Sequence, residues 1–208
     1  MKKLFPFLAF LLVLALSSFI MLRPVADTGY QVGDKAADFK LKNVDGKLVS
    51  LADSKAAKGY IVVFTCNTCP YAKAYEQRII DLNTKYAPQG YPVVAINPND
   101  PATVPGDSFA ELQKRAKEKK YAFPYLQDET QQVAHQFGAT RTPHLYVLTR
   151  QGTDFVVSYI GAIDDNSEDA KLVKTNYLEN AMTELVAGKP ASVSSTKAIG
   201  CTIKWKKA

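Results

Sequence analysis

Two cysteines separated by two residues, Cys66-Asn67-Thr68-Cys69, are the residues in this chain most able to do chemistry. A pair at that spacing can close a small disulfide ring, and a thiolate is the nucleophile in disulfide exchange. Pro70 follows directly, and proline suits the first turn of a helix, where its missing N–H is not needed. A cysteine at such a helix start lies where the helix dipole favours the thiolate. The expected division of labour is attack by Cys66 and resolution by Cys69. The competing use of a CxxC is half of a metal site.

A third cysteine, Cys201, stands in Ala198-Ile199-Gly200-Cys201-Thr202-Ile203-Lys204-Trp205 near the end of the chain. It is either an additional redox thiol, paired with Cys66 or a partner, or a half-buried thiol under a docked tail anchored by Trp205. The two histidines are His135, which falls on a helix surface, and His144, which could approach the CxxC. A Cu(I) site of Cys66, Cys69 and His144 is one alternative, since soft thiolates select that ion. Lys73, one turn after Cys69, could support a thiolate but fits an exposed helix position as well. Glu76 and Asp81 are expected on the solvent face, so no buried acid is assigned beside the cysteines.

These residues need a scaffold. Ile61-Val62-Val63-Phe64 and Val93-Val94-Ala95-Ile96 are continuous apolar runs that suit buried strands. Between them, Tyr71, Tyr75, Ile79, Leu82 and Tyr86 recur at helical spacing, and Pro88 and Gly90 end that helix. Asp45-Gly46 marks a hairpin between Phe39, Leu41 and Leu48, Leu51. Ser108 and Glu111 have capping-box spacing and open a charged helix to about Lys120. Phe123 to Leu126 is a short apolar piece. Asp128 and Gln131 repeat the capping-box spacing for a helix ending at Gly138. His144 to Leu148 and Phe155 to Ile160 are strands around Gln151-Gly152. A last helix is expected from Ser167 to Ala187, with Val173, Tyr177, Ala181 and Leu185 on one face. The tail from Ala191 has no clear period.

Thr142-Pro143 opens the strand at His144, and with it the chain resembles the thioredoxin superfamily in its extracytoplasmic thiol-disulfide oxidoreductase and AhpC/TSA-like (redoxin) branch. The resemblance runs from about Gly29 to Ala187. It implies an α/β thioredoxin fold: a central mixed sheet flanked by helices, with an N-terminal β-hairpin extension. It implies a cis Thr142–Pro143 bond beside the disulfide, with the Thr142 backbone pairing with substrate. It further implies no cofactor beyond a redox-active Cys66–Cys69 disulfide, no metal, and as partners thiol or disulfide proteins and a redox partner. The Gly200-Cys201-Thr202-Ile203-Lys204 tail is similar to tails of redoxin-like proteins. Phe64-Thr65 replaces the family's usual aromatic before the motif, and Asn67-Thr68 replaces its familiar dipeptides. Peroxiredoxins, similar in fold, carry Thr three residues before the reacting cysteine. Val63 holds that place here, so a thiol peroxidase ranks behind disulfide exchange, alongside a non-enzymatic Cu(I)-binding or redox-sensing module.

The 208 residues suffice for one domain with a sizeable core. Net charge is +6, and setting aside Lys2, Lys3 and Arg23 leaves 23 basic residues against 20 acidic ones. The remaining basic residues are scattered apart from Lys114 to Lys120, which reads as a solvated helix face, and Lys204, Lys206 and Lys207, which read as a solvated tail, so no nucleic-acid footprint is expected. Met1-Lys2-Lys3 followed by the apolar run Leu4 to Leu22 reads as an export signal over 1–26, or as an uncleaved membrane anchor. The expected organisation is that leader, a thioredoxin-like domain over 29–188, and a tail over 189–208 carrying Cys201. The expected location is extracytoplasmic: a bacterial periplasm, with the protein secreted there or anchored by an uncleaved signal.

Overall fold

The computed structural model describes residues 29–207. The leader expected over 1–26 lies outside these residues. The strands and helices, in chain order, are β1 (Lys35–Ala36), β2 (Lys40–Asn43), β3 (Leu48–Ser50), β4 (Gly59–Phe64), α1 (Pro70–Tyr86), β5 (Val93–Asn97), α2 (Phe109–Glu118), β6 (Tyr125–Gln127), α3 (Gln132–Phe137), β7 (Arg141–Thr142), β8 (His144–Gln151), β9 (Asp154–Gly161), α4 (Tyr177–Val186) and β10 (Cys201–Thr202).

The apolar run of β4 is buried at all six positions because both faces of its sheet are covered. Its alternate side chains enter two cores. Ile61 and Val63, with Val93, Ala95, Leu145 and Val147, pack under Tyr75, Ile79 and Leu82 of α1, Leu112 of α2, and Leu178 and Met182 of α4. Val62 and Phe64, with Val94, Ile96, Tyr146 and Leu148, face Phe39, Val133 and Phe137, and Ile203 of the tail completes that side. The sheet has eight strands in the order β1-β9-β8-β4-β5-β6-β2-β3. β4, β5 and β6 are parallel, while β8 runs antiparallel to β4 and β9 to β8. This is the thioredoxin plan, and the β2–β3 hairpin extends it by joining β6 at the sheet edge.

Several local expectations are corrected. Ser108 stands at the N-cap of α2, but its hydroxyl caps nothing. The next helix starts at Gln132, later than the spacing of Asp128 and Gln131 suggests. The Asp128 carboxylate accepts the Ala134 N–H at 2.7 Å, and Gln131 takes a left-handed conformation (φ 62°). The last helix begins only at Tyr177. Before it, the Asn166 side chain accepts the Glu168 and Asp169 N–H groups, and Asp169 accepts that of Lys171. Such local side-chain bonds compete with helix and favour turns. The buried face of α4 keeps the expected Ala181 and Leu185, with Tyr177 partly buried beside them, and adds Leu178 and Met182, while Val173 lies before the helix. Glu76 is also corrected: it is buried, with Arg115 Nε at 2.6 Å, Lys119 Nζ at 2.9 Å and the Tyr121 hydroxyl at 2.7 Å, tying α1 to α2. The tail, featureless in sequence, forms β10 against β7 in a separate two-stranded sheet. Among the described residues, no helix is long and apolar enough to cross a membrane.

Candidate active site

The chain leaves the buried end of β4 through Thr65, whose N–H donates to the Ile96 carbonyl at 2.9 Å, and turns into α1. Cys69 is the N-cap residue and Pro70 opens the helix, as the motif suggests. No side chain caps this end of α1. Across the turn lies the cis Thr142–Pro143 bond. Thr142 is fully buried and touches both sulfurs: its hydroxyl is 3.3 Å from Cys66 Sγ, and its carbonyl accepts from Cys69 Sγ at 3.2 Å. Thus Cys66, Cys69, Thr142 and Pro143, separated by more than seventy positions in sequence, form one cluster.

Cys201 joins them. It is partly buried and packs against the cluster of Cys66, Cys69 and Ala72. β10 runs antiparallel to β7 with Cys201 opposite Thr142 and Thr202 opposite Arg141. All three cysteines are free thiols here.

Cys66 and Cys69 titrate as a pair, and the groups around them favour the thiolate at Cys69, whereas the Thr142 carbonyl at 3.2 Å favours a proton there. The Cys66 thiol, against the opposing cost of burial, and then the Cys201 thiol and the Ala72 and Cys201 N–H groups pull Cys69 down to about 4. The same bond to Cys69, burial, and the charge of Asp107 push Cys66 up. Burial and the neighbouring Cys69 raise Cys201 to about 11. The contacts to Thr142 fit the opposite proton arrangement. If Cys66 transfers its proton to Cys69, the Thr142 hydroxyl can donate to Cys66 while Cys69 donates to the Thr142 carbonyl. The pair therefore holds one charge with two available positions.

On the opposite side of the loop lies Asp107, fully buried in a 3₁₀ turn at Pro105–Asp107. One carboxylate oxygen accepts the Asn67 N–H at 2.7 Å and the Asn97 amide at 3.1 Å. The other accepts the Thr68 hydroxyl at 2.9 Å and the Asn99 amide at 2.8 Å. The Tyr125 hydroxyl donates to Asn67 Oδ1 at 3.0 Å. Asp107 fixes the two residues between the cysteines. The sequence assigned no buried acid here because Asp107 sits in a proline-rich loop without a period. Asn97 carried a usable signal: it ends a strand adjacent and parallel to the one that delivers Cys66, and sites gather at such carboxyl ends.

The remaining candidates do not converge. His144 is buried opposite Phe64, and burial pushes it down to about 4, so it is neutral at physiological pH. Its Nδ1 accepts the Thr140 N–H at 3.5 Å and its ring lies against Tyr146. Among the described residues no group of three or more His, Cys, Asp or Glu side chains is arranged to hold a metal ion, so Cys66, Cys69 and His144 form no copper site. His135 is exposed and stacks on Trp205 with ring centroids 4.1 Å apart. Lys73 is exposed on α1. A shallow hollow of about 320 Å³ beside the motif is lined by Pro70, Tyr71, Ala74, Ser167 and Glu168.

The chain is similar to an uncharacterised conserved protein of Geobacillus kaustophilus, at 36% identity and a TM-score of 0.79, with 86% of this chain and 94% of that one covered. A hypothetical protein of Sinorhizobium meliloti is 32% identical with the same TM-score, over 86% of this chain and 97% of its own. A Mycobacterium tuberculosis protein provisionally named a peroxiredoxin is 28% identical over 145 residues, 70% of this chain and 83% of that protein. The AhpC/TSA family profile matches residues 32–164, a span that holds the CxxC, Asp107 and the cis-proline: the chain belongs to the AhpC/TSA family.

Proposed function

We propose that this protein is a thiol-disulfide oxidoreductase whose reaction centre is Cys66 and Cys69. The observation that carries the proposal is the meeting of both sulfurs at Thr142, beside the cis-proline and at the start of α1. In the proposed reaction the proton shifts from Cys66 to Cys69, and the Cys66 thiolate attacks one sulfur of a substrate disulfide. A Cys66–substrate bond forms, the substrate's own S–S bond breaks, and its second sulfur leaves as a thiol with the proton of Cys69. The Cys69 thiolate then attacks Cys66, closing the Cys66–Cys69 disulfide and releasing the reduced substrate. The reverse sequence oxidises a dithiol. The substrates of this reading are protein or small-molecule disulfides, and the basic and apolar N-terminal segment supports work outside the cytoplasm.

One observation favours a second reading, reduction of a peroxide. Val63 fills the place of the peroxiredoxin threonine, but the Thr142 hydroxyl reaches Cys66 from another strand. There the thiolate would attack the peroxide, giving a sulfenic acid and an alcohol or water, and Cys69 would condense with it to a disulfide.

Stopped-flow mixing of the reduced full-length protein with oxidised glutathione, and separately with hydrogen peroxide, distinguishes the two. We expect rapid oxidation by the disulfide with formation of Cys66–Cys69, slowed at least roughly tenfold in Cys66→Ser, and a peroxide rate no faster than that of free cysteine. Rapid peroxide consumption with slow disulfide exchange would overturn the first reading in favour of the second.

A further inference from the structure

The groove formed by Thr142 and Pro143, where the proposed exchange would take an extended substrate, is already filled by the protein's own tail. β10 lies antiparallel to β7 with Cys201 facing Thr142, and the Ile203 N–H donates to the Thr140 carbonyl at 3.2 Å. Gly200 lies flat on the cis peptide. A Cβ there would collide with the Thr142 carbonyl and come within 3.0 Å of the Pro143 nitrogen, so no other residue fits without displacing the tail. The Gly200 carbonyl accepts from Arg141 Nη1 at 3.0 Å.

The crossing is pinned at both ends. Upstream, the Ile160 N–H donates to Ser194 and the Thr196 N–H to Ile160, along the edge of β9. Downstream, Ile203 is buried, the Lys204 N–H donates to Asn99 Oδ1 at 2.9 Å, and Gln131 bonds both the Lys204 carbonyl and the Lys206 N–H. Gln131 does so from its left-handed backbone, a conformation uncommon outside glycine. Between the two anchors the chain delivers one sulfur, that of Cys201, to the side of Cys69.

We propose that the tail is an internal partner strand and that Cys201 is a third redox thiol, exchanging with the Cys66–Cys69 disulfide to give Cys69–Cys201. This rests on the disulfide chemistry proposed for the CxxC and extends it. In the step, the Cys201 thiolate attacks the Cys69 sulfur. The Cys69–Cys201 bond forms and the Cys66–Cys69 bond breaks. Cys66 leaves as a thiolate and takes up the proton that Cys201 lost. Nothing is oxidised or reduced overall. The exchange frees Cys66 while the tail is covalently locked over Thr142–Pro143. A polypeptide that pairs as a strand must displace the tail to reach the site, whereas a small disulfide need not.

The test maps disulfides in the full-length protein. Reduced wild type is treated with one equivalent of oxidised glutathione, quenched in acid, alkylated and digested. We expect a Cys69–Cys201 peptide in the native protein and its near absence when oxidation is done in urea, where the strand is undocked. Cys66→Ser should form the same link as a monomer, at least roughly tenfold faster than Cys66→Ser combined with Gly200→Val, because docking makes the reaction intramolecular. Equal rates in those two variants, or only glutathione adducts and intermolecular dimers, would overturn the proposal. The native-against-urea comparison needs no substitution and stands if Gly200→Val fails to fold. Failure of wild type to exchange with the small disulfide sinks the CxxC reading itself. Intact exchange without a Cys69–Cys201 peptide sinks only the role of Cys201.

Discussion

The CxxC loop is held from two sides that are built in opposite ways. On one side Asp107 is a fully buried carboxylate with four donors from Asn67, Thr68, Asn97 and Asn99. On the other, the tail contributes backbone pairing, one glycine that fits a flat surface, and a few anchors around Gln131 and Trp205. A buried charge cannot be exchanged for another group without leaving donors unpaired. A strand can be exchanged for another strand. The first side therefore sets where the sulfurs are, and the second sets what may reach them.

The sharpest way to break this contrast is Asp107→Ala. It strands the Asn67 N–H, the Thr68 hydroxyl and two buried asparagine amides. We expect a loss of roughly 4 kcal/mol in urea unfolding, near the upper end for a single substitution. Disulfide exchange should fall with it as the Asn67-Thr68 turn loosens. A loss below about 1 kcal/mol would mean that water can stand in for the carboxylate, and Asp107 would then be no more fixed than the tail.

The two sides also differed in how far the sequence revealed them. The apolar runs at Ile61–Phe64 and Val93–Ile96, the helix after Pro70 and Thr142-Pro143 were legible because each has a local signature. They sufficed for the fold and for the cluster of Cys66, Cys69, Thr142 and Pro143. Asp107 was not legible because its role depends on Asn67 from the CxxC loop and Asn97 and Asn99 from the end of β5 arriving together. β10 was invisible for a related reason. Two residues carry no period, and Cys201-Thr202 is a strand only because β7 offers it an edge. The late start of α4 was misread because Asn166 and Asp169 bond their own backbone, which a hydrophobic period does not report.

His144 lies at the seam between the two sides and sharpens the comparison through pH. Its imidazole is held near 4 by burial, below the ~6.5 of an unfolded chain. Between those values the unfolded state binds a proton that the native state refuses. Stability is therefore fully present above pH ~6.5 and declines as pH falls towards 4, by up to about 3 kcal/mol. Protonated Nδ1 can no longer accept the Thr140 N–H, and Thr140 is the residue whose carbonyl pairs with Ile203. The loss should thus appear on the tail side first. Denaturant unfolding of wild type and His144→Phe over this range isolates the effect, since carboxylate titrations are common to both. Parallel pH curves for the two proteins would break the assignment.

Trp205→Ala is the gentlest probe and the one most specific to the tail. The indole stacks on the exposed His135 ring at 4.1 Å with an interplanar angle of 20°, half-buried at the margin of the core that holds Phe137 and Ile203. Its loss should cost about 1 kcal/mol of docking energy and leave the CxxC side untouched. At 25 °C that corresponds to about a fivefold rise in the undocked population, because 1.4 kcal/mol is a factor of ten. Alkylation of Cys201 in the reduced protein should accelerate by the same factor, while the urea midpoint moves far less than in Asp107→Ala. An unchanged alkylation rate would mean that the β10–β7 pairing and the Lys204 bonds hold the tail without the ring. Access to Thr142–Pro143 would then be governed by that pairing and by the fit of Gly200.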